Sequence, residues 1–326
     1  MNVSNYKALT ESPSYVFGFI LNGKGAGVPL DKVSDESGPL WCHLDFLEEG
    51  CREQLASLKV PEHAIDSLTR LDSRPRTNVH EEGAVLILRV INMNPGEDPN
   101  DMVSLRFWIE ADRIISLRHK RVLSTQDVKD EIVSGKGPKT TSELLSTVIE
   151  RVADRIADYV DGVEAKMLEY EDAADVENIV KLRANVSNLR REAAMVRRYL
   201  APQREALEAL FRQSATLLVK EDRHYVQELS DRIIRYVEDL DLVREKAVVL
   251  QEELMNLTAQ QQNDRMYVLS IVAVIFLPIS FVTGLFGMNV AGLPGLETPS
   301  AFFYVAMAMT VMVVGALAYF RFKKWL

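Results

Sequence analysis

The residues best suited to handling an ion lie along one line of one apolar segment. Asn263, Met266, Ser270, Ala273, Leu277, Ser280 and Gly284 follow one another at steps of 3, 4, 3, 4, 3 and 4. That alternation is the heptad period, which keeps one seam of a helix turned toward a common axis. Every Ser, Ala and Gly between Met266 and Phe286 falls on the seam, while Thr283 lies off it. The other faces carry Val268, Ile271, Val272, Ile275, Phe276, Ile279 and Phe281, which suit lipid or a neighbouring helix. Neutral amide and hydroxyl oxygens cannot easily strip a strongly hydrated dication, so such a wall passes an ion with water attached. Met266 and Leu277 would be constrictions that close by narrowing or dewetting. One helix encloses nothing, so the seam implies several copies around an axis. The competing reading is a close-packed helix–helix seam, because small residues also serve that purpose. The phase continues upstream through Ala259, Asn256 and Glu252, where a packing seam should be apolar. The pattern therefore favours a pore.

The elements that must position this seam follow from length and charge. The chain has 326 residues, 47% hydrophobic and 26% charged, with a formal net charge of −9. Almost all charges lie before Arg265. After it, Met266–Phe286 and Phe302–Phe320 are uncharged apolar runs. Each is long enough to cross roughly 30 Å of hydrocarbon. The connecting loop, Gly287–Ala301, contains no Lys or Arg, whereas Arg265 precedes the first span and Arg321, Lys323 and Lys324 follow the second. By the positive-inside rule both ends face the cytoplasm. The second span has no polar stripe and is expected to face lipid. Its outer loop carries Glu297, which either raises the cation concentration at the mouth or is a solvated loop acid.

Upstream, residues 1–138 read as a cytoplasmic α/β domain, 139–265 as a long-helix stalk, and 266–326 as the transmembrane part. No signal peptide is expected at the N-terminus, because Tyr15–Leu21 is short and lacks a basic flank. Strands are predicted at Tyr15–Leu21, Trp41–Phe46, Ala84–Ile91, Val103–Ile109 and Arg113–His119, each a β-branched or aromatic run bounded by turn residues. Helical spacing covers Leu47–Leu58 and Glu62–Leu68, and Ser134–Pro138 has the composition of a linker. Long helices are predicted at Ser142–Asp172 and Asp175–Phe211, the second kinked at Pro202. A third starts near Lys220 and meets no stop before Gly284 and Gly287, so it runs from the stalk into the first span.

Zinc is ordinarily held by His or Cys. Cys42, His43 and Cys51 are the nearest approach to such a set, but no second pair completes it. Strand alternation would bury Cys42 with Leu44 and Phe46, and the core reading is preferred. Neither span contains His, Cys or a carboxylate. The acids Glu164, Glu169, Glu171, Asp172, Asp175 and Glu177 spread over several helix faces and read as solvated surface. No phosphate-binding loop or nucleophile elbow marks an enzyme. An acidic chain without a basic face gives nucleic acid no binding surface.

The first span ends in Gly287-Met288-Asn289, and the chain closes on Lys323-Lys324-Trp325-Leu326. Gly-Met-Asn between two C-terminal spans resembles the CorA superfamily of divalent cation transporters. Arg198-Tyr199-Leu200-Ala201-Pro202-Gln203-Arg204, Gly292-Leu293-Pro294-Gly295, Arg74-Pro75-Arg76 and Trp41-Cys42-His43-Leu44 are similar to its bacterial zinc-transporter branch, ZntB. The resemblance covers essentially the whole chain. It implies a symmetric homopentamer in the bacterial inner membrane, with a funnel-shaped cytoplasmic domain and a pore-lining third helix. It also implies that Gly287, Met288 and Asn289 form the outer selectivity entrance, and that Zn²⁺ is taken up, with proton coupling and without a cofactor; the alternatives are a broad Mg²⁺/Co²⁺ path of the CorA type or Zn²⁺ efflux, since the residues themselves do not set a direction. Gly295 stands where magnesium-type members carry an acid, which points to the zinc branch. Met288 keeps the magnesium-type entrance.

Overall fold

The computed structural model describes residues 3–34, 36–71, 74–173, 179–288, 293, 295 and 299–323. Two compact units divide it, Met1–Glu252 and Glu253–Leu326.

The first unit is built on a seven-stranded sheet of β1 (Tyr15–Leu21), β2 (Gly27–Pro29), β3 (Leu40–Asp45), β4 (Arg76–Val79), β5 (Ala84–Val90), β6 (Val103–Ile109) and β7 (Arg113–Arg118). The spatial order is β2-β1-β3-β7-β6-β5-β4. Only β3 and β7 run parallel, in register from Leu40↔Arg113 to Asp45↔Arg118. Antiparallel β6 and β7 meet across Glu110–Asp112, as the turn residues there predict. Helices α1 (Val3–Thr10), α2 (Cys51–Ser57) and α3 (Glu62–Thr69) share one core with Ile20, Cys42, Leu44, Ile115 and Leu117. The expected strands all form, with ends shifted by a residue at most. Short β2 and β4, α1, and α4 (Leu123–Val133) have too little periodicity to be read from sequence.

Three expectations change. The helix predicted from Leu47 starts only at Cys51, because the Asp45 carboxylate accepts the Leu47 N–H at 3.1 Å and Gly50 turns with φ +81°. β3 is buried on both faces, so Trp41 and His43 are as enclosed as Cys42 and Leu44. The Ser134–Pro138 segment is a packed turn: Gly137 donates to the Gly25 carbonyl at 2.7 Å, and a Cβ at Gly137 would lie 2.5 Å from Ile132.

Over the sheet lie α5 (Thr141–Asp172), which starts with Thr140 accepting the Glu143 N–H, and α6 (Ile179–Gln213). Pro202 lies inside α6 without ending it. Gln203 accepts the Arg89 N–H at 2.7 Å, and Thr77 donates to the Ala206 carbonyl at 2.6 Å, which fixes α6 to β5 and β4. Helix α7 (Lys220–Phe286) buries Val226, Leu229, Ile233, Leu240, Val243, Ala247, Leu250 and Leu254, at steps of three and four apart from one step of seven between Ile233 and Leu240. Ion pairs flank that line: Arg232–Asp154 at 2.7 Å joins α7 to α5, and Arg197–Asp241 at 2.5 Å joins it to α6. In the second unit, the end of α7 is joined by α8 (Ala301–Phe322). Leu240→Ala should cost about 2–5 kcal/mol, the range for emptying a buried leucine site. A thermal midpoint of the purified protein unchanged by that substitution would show that α7 is not held through this line.

Candidate ion-conducting surface

The structure places all seven predicted seam residues on α7. In the single chain Asn263, Met266, Ser270, Leu277, Ser280 and Gly284 are exposed, and Ala273 is half-buried. Met266 and Leu277 keep 64% and 69% of their surface, a high exposure for large apolar side chains without a partner. The faces that sequence left equivalent are now distinguished. Ile271, Ile275, Ile279 and Val282 are half-buried, whereas Val268, Val272, Phe276 and Phe281 are exposed. On α8 Ala301, Val305, Ala306, Met309, Val313 and Ala316 are half-buried, and Phe320 is buried. Each helix thus withdraws one face at helical spacing and leaves the rest apolar and open.

Local hydrogen bonding decides what the seam offers. Ser270 donates its hydroxyl proton to the Met266 carbonyl at 2.8 Å. Its proton is thereby spent inside the helix, and the lone pairs of its oxygen stay free to accept. A serine bonded in this way suits a cation or the water around one. Off the seam, Thr283 donates to Ile279 at 3.0 Å and Thr310 to Ala306 at 2.9 Å, which satisfies both hydroxyls without a partner helix. Pro278 has no N–H, so the Val274 carbonyl lacks its helical donor. At the end of α7 the Gly287 N–H bonds the Thr283 carbonyl at 2.9 Å, and a Cβ at Gly287 would lie 3.0 Å from that same oxygen. Glycine lets the chain close there, and Met288 follows, exposed. Asn289 and Glu297 lie outside the described residues.

The zinc-type donors sit elsewhere and do not converge. Cys42 and Cys51 are free thiols within the core shared by α1–α3, and burial pushes both up, Cys51 to about 12. His43 projects from the opposite face of β3, stacked on Phe17 with ring centroids 4.7 Å apart, so the three form no common site. Its Nδ1 lies 2.7 Å from the Ser116 hydroxyl, which also accepts from the Trp41 indole at 2.8 Å. His63 and His80 bring their rings within 4.3 Å. Among the described residues no group of three or more His, Cys, Asp or Glu is placed to hold a metal.

Two helices, α7 and α8, contain stretches long and apolar enough to cross a membrane. A family model described as CorA-like Mg²⁺ transporter protein matches residues 36–324. The chain belongs to this CorA-like family. Among curated relatives of that kind, the "Divalent cation transporter CmaX" of Pseudomonas aeruginosa is 35% identical over 325 residues, covering 95% of this chain and 96% of its own. The "Zinc transport protein ZntB" of Yersinia enterocolitica is 32% identical over 329 residues, covering all of both chains. A solved full-length CmaX structure is similar at a TM-score of 0.77 and 34% identity, covering 97% of this chain and 99% of its own. The CorA-like architecture therefore holds along the whole chain, and its two membrane helices are the last part of α7 and α8.

His43 supplies a pH test of the cytoplasmic core. Burial, with Arg118 adding to it, lowers its pKa from 6.5 to about 3. Below pH 6.5 the unfolded chain takes up a proton that the native core refuses until about pH 3. Stability should therefore fall as pH drops through that window, by up to about 1.4 kcal/mol per pH unit. Denaturant titrations between pH 7 and 4 should show a shallower slope for His43→Phe. An equal slope would mean that His43 is not held neutral.

Proposed function

We propose that this protein is a zinc transporter of the bacterial inner membrane, a homopentamer that mediates Zn²⁺ uptake through a central path. The observation that carries this reading is the seam on α7, whose Asn263, Ser270, Ser280 and Gly284 stand open in the single chain along an otherwise apolar span. In a symmetric ring, Asn263, Met266, Ser270, Ala273, Leu277, Ser280 and Gly284 of every copy turn to the axis. Gly287, Met288 and Asn289 form the outer entrance, and Glu297 adds negative charge at the mouth. Residues 1–138 and 139–265 make the cytoplasmic domain and stalk, 266–326 the transmembrane part, and both termini face the cytoplasm. The zinc assignment draws on full-length similarity to proteins named zinc transport protein. Proton coupling belongs to the same proposal, although neither span carries a carboxylate or histidine to relay a proton.

A second reading has its own support. The absence of His and Cys from both spans suits a broad path for hydrated dications, as does similarity to a relative named divalent cation transporter. Flux into liposomes separates the two. Zn²⁺ should enter in preference to Mg²⁺ and respond to a pH gradient, and Asn289→Ala should lower the flux at least tenfold. Equal Zn²⁺ and Mg²⁺ flux, indifferent to pH, would establish the broad path instead. No dication flux under any gradient would reject both.

A further inference from the structure

One pair of imidazoles does meet, away from both spans and from the core that holds Cys42 and Cys51. His63 lies in the first turn of α3, and His80 in the connection between β4 and β5. Their ring centres stand 4.3 Å apart, with the planes inclined at 57°. His63 is exposed and His80 half-buried, so the pair opens to solvent within the first unit. No spacing motif links them in the chain; the fold brings them together.

Both elements are fixed by packing on the sheet. Ala64, Ile65 and Leu68 of α3 are buried, which leaves His63 on the outer side of the helix. The His80 N–H donates to the Gly83 carbonyl at 2.7 Å and closes the β4–β5 connection. Gly83 is wedged against β6, where a Cβ would lie 2.5 Å from the Ile109 carbonyl oxygen and 2.9 Å from the Trp108 ring. The Trp108 ring stands beside His80, with centres 6.5 Å apart, and its indole is held by Glu110 at 2.5 Å.

Ring against ring is the simplest account of such a contact. An inclination of 57° fits it poorly, because aromatic pairs favour offset stacking or a perpendicular edge. Ligation fits better. Metal–nitrogen bonds of about 2.0–2.1 Å put the centres of two imidazoles sharing one ion roughly 5 Å apart, which a small side-chain rotation supplies here. Imidazole donors suit Zn²⁺, Cu²⁺ and Ni²⁺, whereas Mg²⁺ takes oxygen ligands.

We propose that His63 and His80 together bind one divalent transition cation of the Zn²⁺ type on the sheet domain. Among the described residues no third His, Cys, Asp or Glu joins the pair, so water completes the coordination. The chain thereby holds a place that distinguishes a transition metal from Mg²⁺, which neither span offers. The site stands apart from the α7 seam and does not rest on the transport reading.

Full-length protein in detergent, with Mg²⁺ in large excess, should lose one bound Zn²⁺ per chain on His63→Ala or on His80→Ala. The double substitution should remove that same ion and no more. His224→Ala, a histidine that meets Phe211 instead, should leave the stoichiometry unchanged. In the unsubstituted protein, Zn²⁺ should protect His63 and His80 from diethyl pyrocarbonate over the same concentration range, read residue by residue in the mass spectrometer. That second measurement does not depend on any variant folding. Protection of neither histidine would make the pair a packing contact only and overturn the site. Protection of just one, or single losses that add to two ions in the double variant, would make them separate surface histidines and overturn it as well.

Discussion

The winding of α7 against its own chain is the constraint on which the other features depend. A helix has only so much circumference, and Val226 through Leu250 commit one side of α7 to the packed interior of the first unit. What remains is determined by subtraction. The opposite side must stand open, and a strict heptad period keeps it open along the same line rather than spiralling around the helix. On the proposed pore reading, function is a matter of which face of α7 has no intramolecular partner.

The sheet and its helices serve that arrangement from a distance. The sheet gives α5 and α6 a rigid floor: α5 packs on β5 and β7, and the side chains of Thr77 and Gln203 attach α6 to β4 and β5. Arg106 shows how firmly the floor is closed. It is fully buried, bonds the Leu68 and Leu71 carbonyls and Ser104, and lies with its guanidinium carbon 3.9 Å from the centre of the Phe46 ring. Burial, with Arg89 and Arg76 nearby, lowers its pKa to about 10, which still leaves the guanidinium charged at neutral pH. A charge held by carbonyls and an aromatic face in a closed core is a packing element, not part of a binding surface.

Much of this was legible in the residues, for a physical reason. Long periodic segments bury a face whatever surrounds them, so the three long helices and the five longer strands could be read from spacing alone. Short elements could not. β2 and β4 owe their existence to pairing with β1 and β5, and α1 to the core it covers. Alternation along β3 identified Cys42 and Leu44 as buried but missed that His43 is equally enclosed, because periodicity describes one face and the second depends on residues from other strands, Phe17 and Ser116, that close around it. On α7 the seam itself was visible as composition. The division of the remaining apolar residues into covered Ile271, Ile275 and Ile279 and open Val272, Phe276 and Phe281 was not, because all six are simply hydrophobic.

The enclosure of the two thiols bears on speed. A soft or borderline metal dwells longest where it meets thiolate or converging imidazoles, and each such encounter lengthens its residence on the protein. Conduction requires binding sites weak enough to be left again. With Cys42 and Cys51 sealed in the core and no His or Cys in either span, the part of the seam within the span presents only neutral oxygens and apolar walls. On the proposed pore reading, a transition metal moving along it meets no thiolate or imidazole in the span. Such a surface trades affinity for throughput, and discrimination on it must come from hydration and charge rather than from capture.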